Sequence, residues 1–170
     1  MRALANIPSL LLVVLASVLC PADAGTPAWA YPVNPPGVQP VVDDGKPKHV
    51  PASAVTFTRS QIAAITVQPP DWHPEEHPAM TGIVGHSREP KVYACAYCHL
   101  PNGAGRPENA SLAGLSAEYI KRQIAAFREG NRPGSEPRRT PQALMIAIAK
   151  ELTDAEVKES AAYFAALAPV

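Results

Sequence analysis

Proline is the residue that most restricts this chain. There are 20 prolines, and 11 of them fall between Gly25 and Pro78. Each fixes φ and removes a backbone donor, so long helices and paired strands are not expected in that stretch. Pro35-Pro36 and Pro69-Pro70 bias it toward turns and polyproline II. Two islands escape this bias. Val55-Thr56-Phe57 reads as a short extended piece. Thr58-Arg59-Ser60-Gln61 fits a capping box that opens a short helix through Ile62 and Ile65. Trp29, Tyr31 and Trp72 add apolar surface, so residues 25–77 read as an extension lying partly on a main domain.

The segment before it reads as an export signal. Arg2 gives a positive start, Leu10 to Leu19 is an unbroken apolar and small-residue run, and Ala22-Asp23-Ala24 is a small-x-small cleavage pattern. Ala28-Trp29-Ala30 is a second cleavage candidate. The apolar run is short for a bilayer span, so no transmembrane segment is expected in the mature chain, and the destination is periplasmic. The expected organisation is a signal peptide at 1–24, the proline-rich extension at 25–77 and a folded domain at 78–170. With 15 basic and 15 acidic side chains, nothing points to nucleic acid as a partner.

From Pro78 onward the apolar residues recur at helical spacing. Ala79 to His86 suggests a short first helix carrying Met80, Ile83 and Val84, ended or bent by Pro90. Ser116 is placed as an N-cap, Ile120, Ile124 and Phe127 follow one face, and Gly130 is placed to stop that helix. Thr140 is read as the next cap, with Pro141 in the first turn. Thr153 and Glu156 form a capping box for a last helix with Val157, Ala161, Phe164 and Leu167 on its apolar side. No strand alternation and no internal repeat are visible.

The chemistry is concentrated at Cys95-Ala96-Tyr97-Cys98-His99. Once the signal is removed, Cys95 and Cys98 are the only cysteines. C-x-x-C-H is the attachment pattern of c-type haem. Thiols three residues apart share one side of a helical turn and face one flat macrocycle, and the following imidazole reaches the iron from that side. Cys95 and Cys98 are therefore candidate thioether positions, with His99 as the proximal ligand. A zinc site would need a fourth ligand and usually a second Cys/His pair at set spacing, and no such pair is present. A thioredoxin-like dithiol would need a βαβ setting, which is absent.

Candidate sixth ligands are Met80, Met145 and the histidines at 49, 73, 77 and 86. Met145 is favoured. It follows His99 by 46 residues with an amphipathic helix between, which lets the chain pass from one face of the ring to the other. A weaker expectation is that the 101–112 loop supplies a carbonyl, assigned to Pro107, that accepts the other N–H of His99. A basic run of Lys121, Arg122, Arg128, Arg132, Arg138 and Arg139 is opposed only by Glu129 and Glu136 and suggests a steering dipole.

From about Pro78 to Leu167 the sequence resembles the class I c-type cytochromes. The matching residues are the C-x-x-C-H run, Pro101 to Gly105, Asn109 to Leu115, Tyr119-Ile120-x-x-Gln123, Phe127-x-x-Gly130, Met145, Leu152-Thr153-Asp154 and Ala161 to Phe164. The resemblance implies an all-α fold of about four to five helices around one covalent haem c, with the first and last helices crossing and Met145 as distal iron ligand. It implies a one-electron carrier with redox-protein partners (a dehydrogenase, an oxidase or a membrane complex), not an enzyme in itself. The alternative is a five-coordinate haem that binds small gases or reduces peroxide. The short first helix and the extension depart from the family pattern.

Overall fold

Local signals decide where the helices begin. The Thr153 hydroxyl accepts the Glu156 amide while the Glu156 carboxylate accepts the Thr153 amide, and Ser116 accepts the Tyr119 amide. These caps open the two helices that dominate the computed structural model, which describes residues 37, 39, 42–134 and 139–169. The signal-peptide expectation at 1–24 and Arg138 lie outside the described residues.

Among the described residues six helices follow in chain order: α1 (Arg59–Ala63), α2 (Gly82–Gly85), α3 (Cys95–His99), α4 (Ala117–Arg128), α5 (Thr140–Glu151) and α6 (Asp154–Ala166). Five of them belong to residues 78–170, as the all-α expectation requires. Among the described residues the only β pairing is two isolated bridges, Lys48 with Phe57 and Arg88 with Val92. None of these helices is long and apolar enough to cross a membrane.

Two expected boundaries move. The first helix shrinks from 79–86 to Gly82–Gly85, because Gly82 sits at φ +44 and the backbone ahead of it is extended. Helix α5 starts at Thr140 itself, with Arg139 in the cap position and Pro141 in the first turn; no side chain caps it. Gly130, at φ +78, ends α4 as expected, and Asn131 donates back to the Ala126 carbonyl at 2.8 Å.

Helix α6 lies against both α2 and α4, and α4 also lies against α5. The core between them holds Ile83 and Val84 from α2, Ile120 and Ile124 from α4, Ala149 from α5, and Ala161 and Phe164 from α6. Phe164, Val84 and Val92 are the largest fully buried side chains, each removing about 1.5–3 kcal/mol of apolar surface from water. Ala161 has no exposed surface, and its single methyl lies within this core. Tyr119, next to the buried Ile120 on α4, is exposed.

The described part of the extension is anchored. Phe57 and Trp72 meet edge to face at 4.8 Å, the Ser53 hydroxyl donates to the Trp72 carbonyl at 2.6 Å, and Pro69 and Pro70 are buried. The capping box of Thr58 and Gln61 forms as expected and opens α1.

Candidate functional site

The Cys95–His99 segment is a little over one helical turn, which places both thiols on one side. Both are free and partly exposed. Burial pushes the Cys95 thiol up to about 12 and raises Cys98 as well, with Arg106 opposing the shift at Cys98. The turn is stopped abruptly. Leu100 adopts φ +62 with ψ 153, a region almost confined to glycine that costs another residue about 1–3 kcal/mol and that persists only where surroundings enforce it. Here the enforcing bonds are Gly105 to the His99 carbonyl at 2.9 Å and Arg106 to the Cys98 carbonyl at 3.2 Å.

The His99 ring is fixed by its Nδ1, which donates to the Ala110 carbonyl oxygen at 2.9 Å. Phe164 meets it edge-on at 6.1 Å. Burial lowers the His99 pKa, with the Ala110 bond acting in the opposite direction. The result is a neutral, oriented imidazole whose Nε2 is the atom left for a metal. The accepting carbonyl is that of Ala110, which corrects the assignment to Pro107. The reason is local: Gly105 at φ +77 reverses the chain, Asn109 closes a turn onto the Arg106 carbonyl at 2.8 Å, and the chain comes back one turn later than Pro107.

Cys95, Met145 and Met80 all lie partly buried against the same apolar cluster, together with Leu112, Leu115, Phe127 and Ile148. The donor set fits a haem: two unpaired thiols on one face, an oriented neutral imidazole next to them, and a soft thioether on a helix sharing their core. The rival ligands are engaged elsewhere or exposed. His77 faces Asp71 and the Pro78 carbonyl, His73 faces Glu75 and Glu76, and His49 and His86 are on the surface. Among the described residues the only three ligating side chains within 4.8 Å of one another are His73, Glu75 and Glu76, so the two thiols and His99 do not converge as one zinc site. An open cleft of about 480 Å³ separates Pro90 and Tyr93 from Leu144 and Ile148; neither thiol, His99 nor Met145 lines it.

The basic run is more neutralised than its sequence suggests. Lys121 and Arg122 both pair with Glu118, and Arg128 donates to the Ala149 and Leu152 carbonyls near Asp154. Glu118 was not counted against the run from sequence, although it stands three and four residues before its partners. Two residues that sequence reasoning missed touch the flanks of the motif. Ser87 Oγ accepts the Ala94 amide at 2.9 Å, and the Tyr163 hydroxyl donates to the Pro101 carbonyl at 2.7 Å.

Comparison with known proteins places this site in context. A family model for Cytochrome c matches residues 90–168. The cytochrome c-554(548) of Halomonas halodenitrificans is 36% identical over 77 residues, which is 45% of this chain and 87% of that protein. The thiosulfate dehydrogenase electron acceptor of Thiomonas intermedia is 39% identical over 79 residues, 46% of this chain but only 34% of that protein. A solved thiosulfate dehydrogenase from Marichromatium purpuratum is 36% identical over 46% of this chain and 16% of its own, with a TM-score of 0.39. The chain thus matches about a third of the length of the Thiomonas relative.

Proposed function

This chain belongs to the cytochrome c family, and from that premise we propose that it is an exported, periplasmic carrier of single electrons. As a cytochrome c it takes part in electron transport and holds c-type haem covalently. In the proposed arrangement Cys95 and Cys98 are the thioether positions, His99 is the proximal ligand and Met145 the distal one. The observation that carries this reading is the His99 ring: Nδ1 is committed to the Ala110 carbonyl, so Nε2 is presented from the same turn that presents both thiols.

When bound, the haem supplies a reversible one-electron couple. What the protein supplies is orientation and dielectric. Ala110 and Phe164 hold the imidazole, and the apolar cluster around Cys95 and Met145 excludes water and so helps set the potential. A thioether ligand at Met145 would favour the reduced state.

We further propose that the electron donor is an exported dehydrogenase or a membrane complex and that the terminal acceptor is an oxidase or reductase. The support is that the Thiomonas relative is a thiosulfate dehydrogenase electron acceptor. The test is a visible spectrum of the exported protein. Covalent haem with a reduced spectrum indifferent to carbon monoxide supports six-coordination. A large change with carbon monoxide in the untreated protein would replace this reading with the five-coordinate alternative. Colourless protein with both thiols open to alkylation would end both.

A further inference from the structure

We propose that residues 65–78 act as a brace that holds the haem-attachment turn from both flanks, with Ser87 and Tyr163 as its two positioning residues. This rests on the reading that haem is tethered at Cys95 and Cys98.

The upstream flank hangs on one hydroxyl. Ser87 Oγ donates to the Ile65 carbonyl at 2.9 Å and accepts the Ala94 amide at 2.9 Å, while the Ser87 amide reaches the Val67 carbonyl at 3.3 Å. Ala94 is the residue before Cys95 and occupies the cap position of α3, which has no side-chain cap of its own. The hydroxyl thus satisfies the cap residue's own amide, as the third-position side chain does in a capping box, while being tied to the brace.

The downstream flank repeats the arrangement. Pro101, two residues past His99, is buried, and its carbonyl accepts a hydrogen bond from the Tyr163 hydroxyl at 2.7 Å. The same hydroxyl oxygen lies 3.2 Å from His77 Nδ1 and 3.3 Å from the Pro78 carbonyl. His77 in turn is almost fully buried, at 3% exposed, and its Nε2 lies 3.1 Å from Asp71 Oδ1. One hydroxyl therefore joins the end of the brace to the first residues after the motif.

Ala94 and Pro101 bracket the turn that aims both thiols and the imidazole. Each is bonded to a hydroxyl that also bonds the brace, so releasing the brace loosens both brackets. The His99 ring depends on the backbone between them for its alignment with the Ala110 carbonyl, and that bond tunes the iron. Ser87 and Tyr163 act through this backbone and touch no thiol.

The test uses the full-length exported protein with haem attached. Ser87→Ala and Tyr163→Phe are each expected to raise amide hydrogen exchange at Tyr97, Gly103 and Gly105 by about fivefold or more and to shift the midpoint potential, with Ile124 and Val157 exchanging as in the wild type. Ser87→Thr, which keeps the hydroxyl, restores both readings. Should Ser87→Ala not fold, His77→Ala removes the contact between the brace and the Tyr163 hydroxyl, leaves that hydroxyl's bond to the Pro101 carbonyl in place, and is expected to accelerate the same amides. Wild-type exchange and potential in these variants, or acceleration spread evenly through the chain, overturns the brace. Wild-type protein lacking covalent haem by mass defeats the haem reading instead, and the exchange comparison still decides the brace.

Discussion

His99 Nδ1 and the Ala110 carbonyl oxygen are 2.9 Å apart, and Gly105 is the residue that lets them meet. Gly105 has φ +77, and a Cβ there would stand 2.6 Å from the Asn109 oxygen and 2.7 Å from the Ala110 oxygen. Gly105→Ala must therefore push away the carbonyl that orients the imidazole, besides placing a side chain in the left-handed region. The expected loss is about 2 kcal/mol or more in denaturant unfolding of the haem-loaded protein. The midpoint potential should rise, because a weaker bond to Nδ1 makes the imidazole a poorer donor to oxidised iron. Potentiometric titration beside an unfolding curve checks both.

Met145 and Met80 are the two partly buried methionines against the core, and their truncations separate the ligand from the filler. Met145→Ala is expected to convert haem that ignores carbon monoxide into haem that binds it stoichiometrically, and to lower the midpoint potential. Met80→Ala should lose about 2 kcal/mol of stability and leave the spectrum unchanged. The reverse assignment of the two spectra would move the distal ligand to Met80.

Features set by neighbours in sequence are legible before the fold is known. Ser116, Gly130 and the Thr153–Glu156 box mark the ends of α4 and the start of α6 because a cap needs only the next three amides. The motif itself is legible for the same reason. Ala110 was missed in favour of Pro107, because which carbonyl returns to His99 depends on the left-handed Gly105 and the turn closed by Asn109. Tyr163 falls in the matched Ala161 to Phe164 run, but nothing in the sequence shows what it or Ser87 bonds: their partners Pro101 and Ile65 lie 62 and 22 residues away, and only the folded chain brings them together.

Overpacking tests how tightly the core around α6 is filled. Ala161 is fully buried in the cluster that joins α2 to α6, whereas its neighbour Ala162 is exposed. Ala161→Leu forces three extra carbons into a filled space and should cost about 1–3 kcal/mol, a fall in Tm of several degrees. Ala162→Leu should stay within about 0.5 kcal/mol of the wild type. Equal effects at the two positions would mean that the core around Ala161 is not tightly filled.

Acid should reveal the tie between the segment before the motif and the last helix. Arg88 Nε and Nη2 donate to the two Glu156 oxygens at 2.7 and 3.1 Å, and Nη2 also reaches the Glu151 carbonyl at 2.9 Å. Arg88 first, then the Thr153 donors, hold the Glu156 carboxyl down to about 2 from its ordinary 4.5, against partial burial. A carboxylate whose folded value is depressed contributes fully above its unfolded value and loses that contribution as pH falls from about 4.5 toward 2. Because Arg88 is nearly half exposed, the contribution is about 1 kcal/mol after solvent screening. Glu156→Gln keeps an acceptor for the Thr153 cap and removes only the charge. It should unfold about 1 kcal/mol more easily at pH 7, and the gap to wild type should close by about pH 2, which paired denaturation curves across that range would read directly.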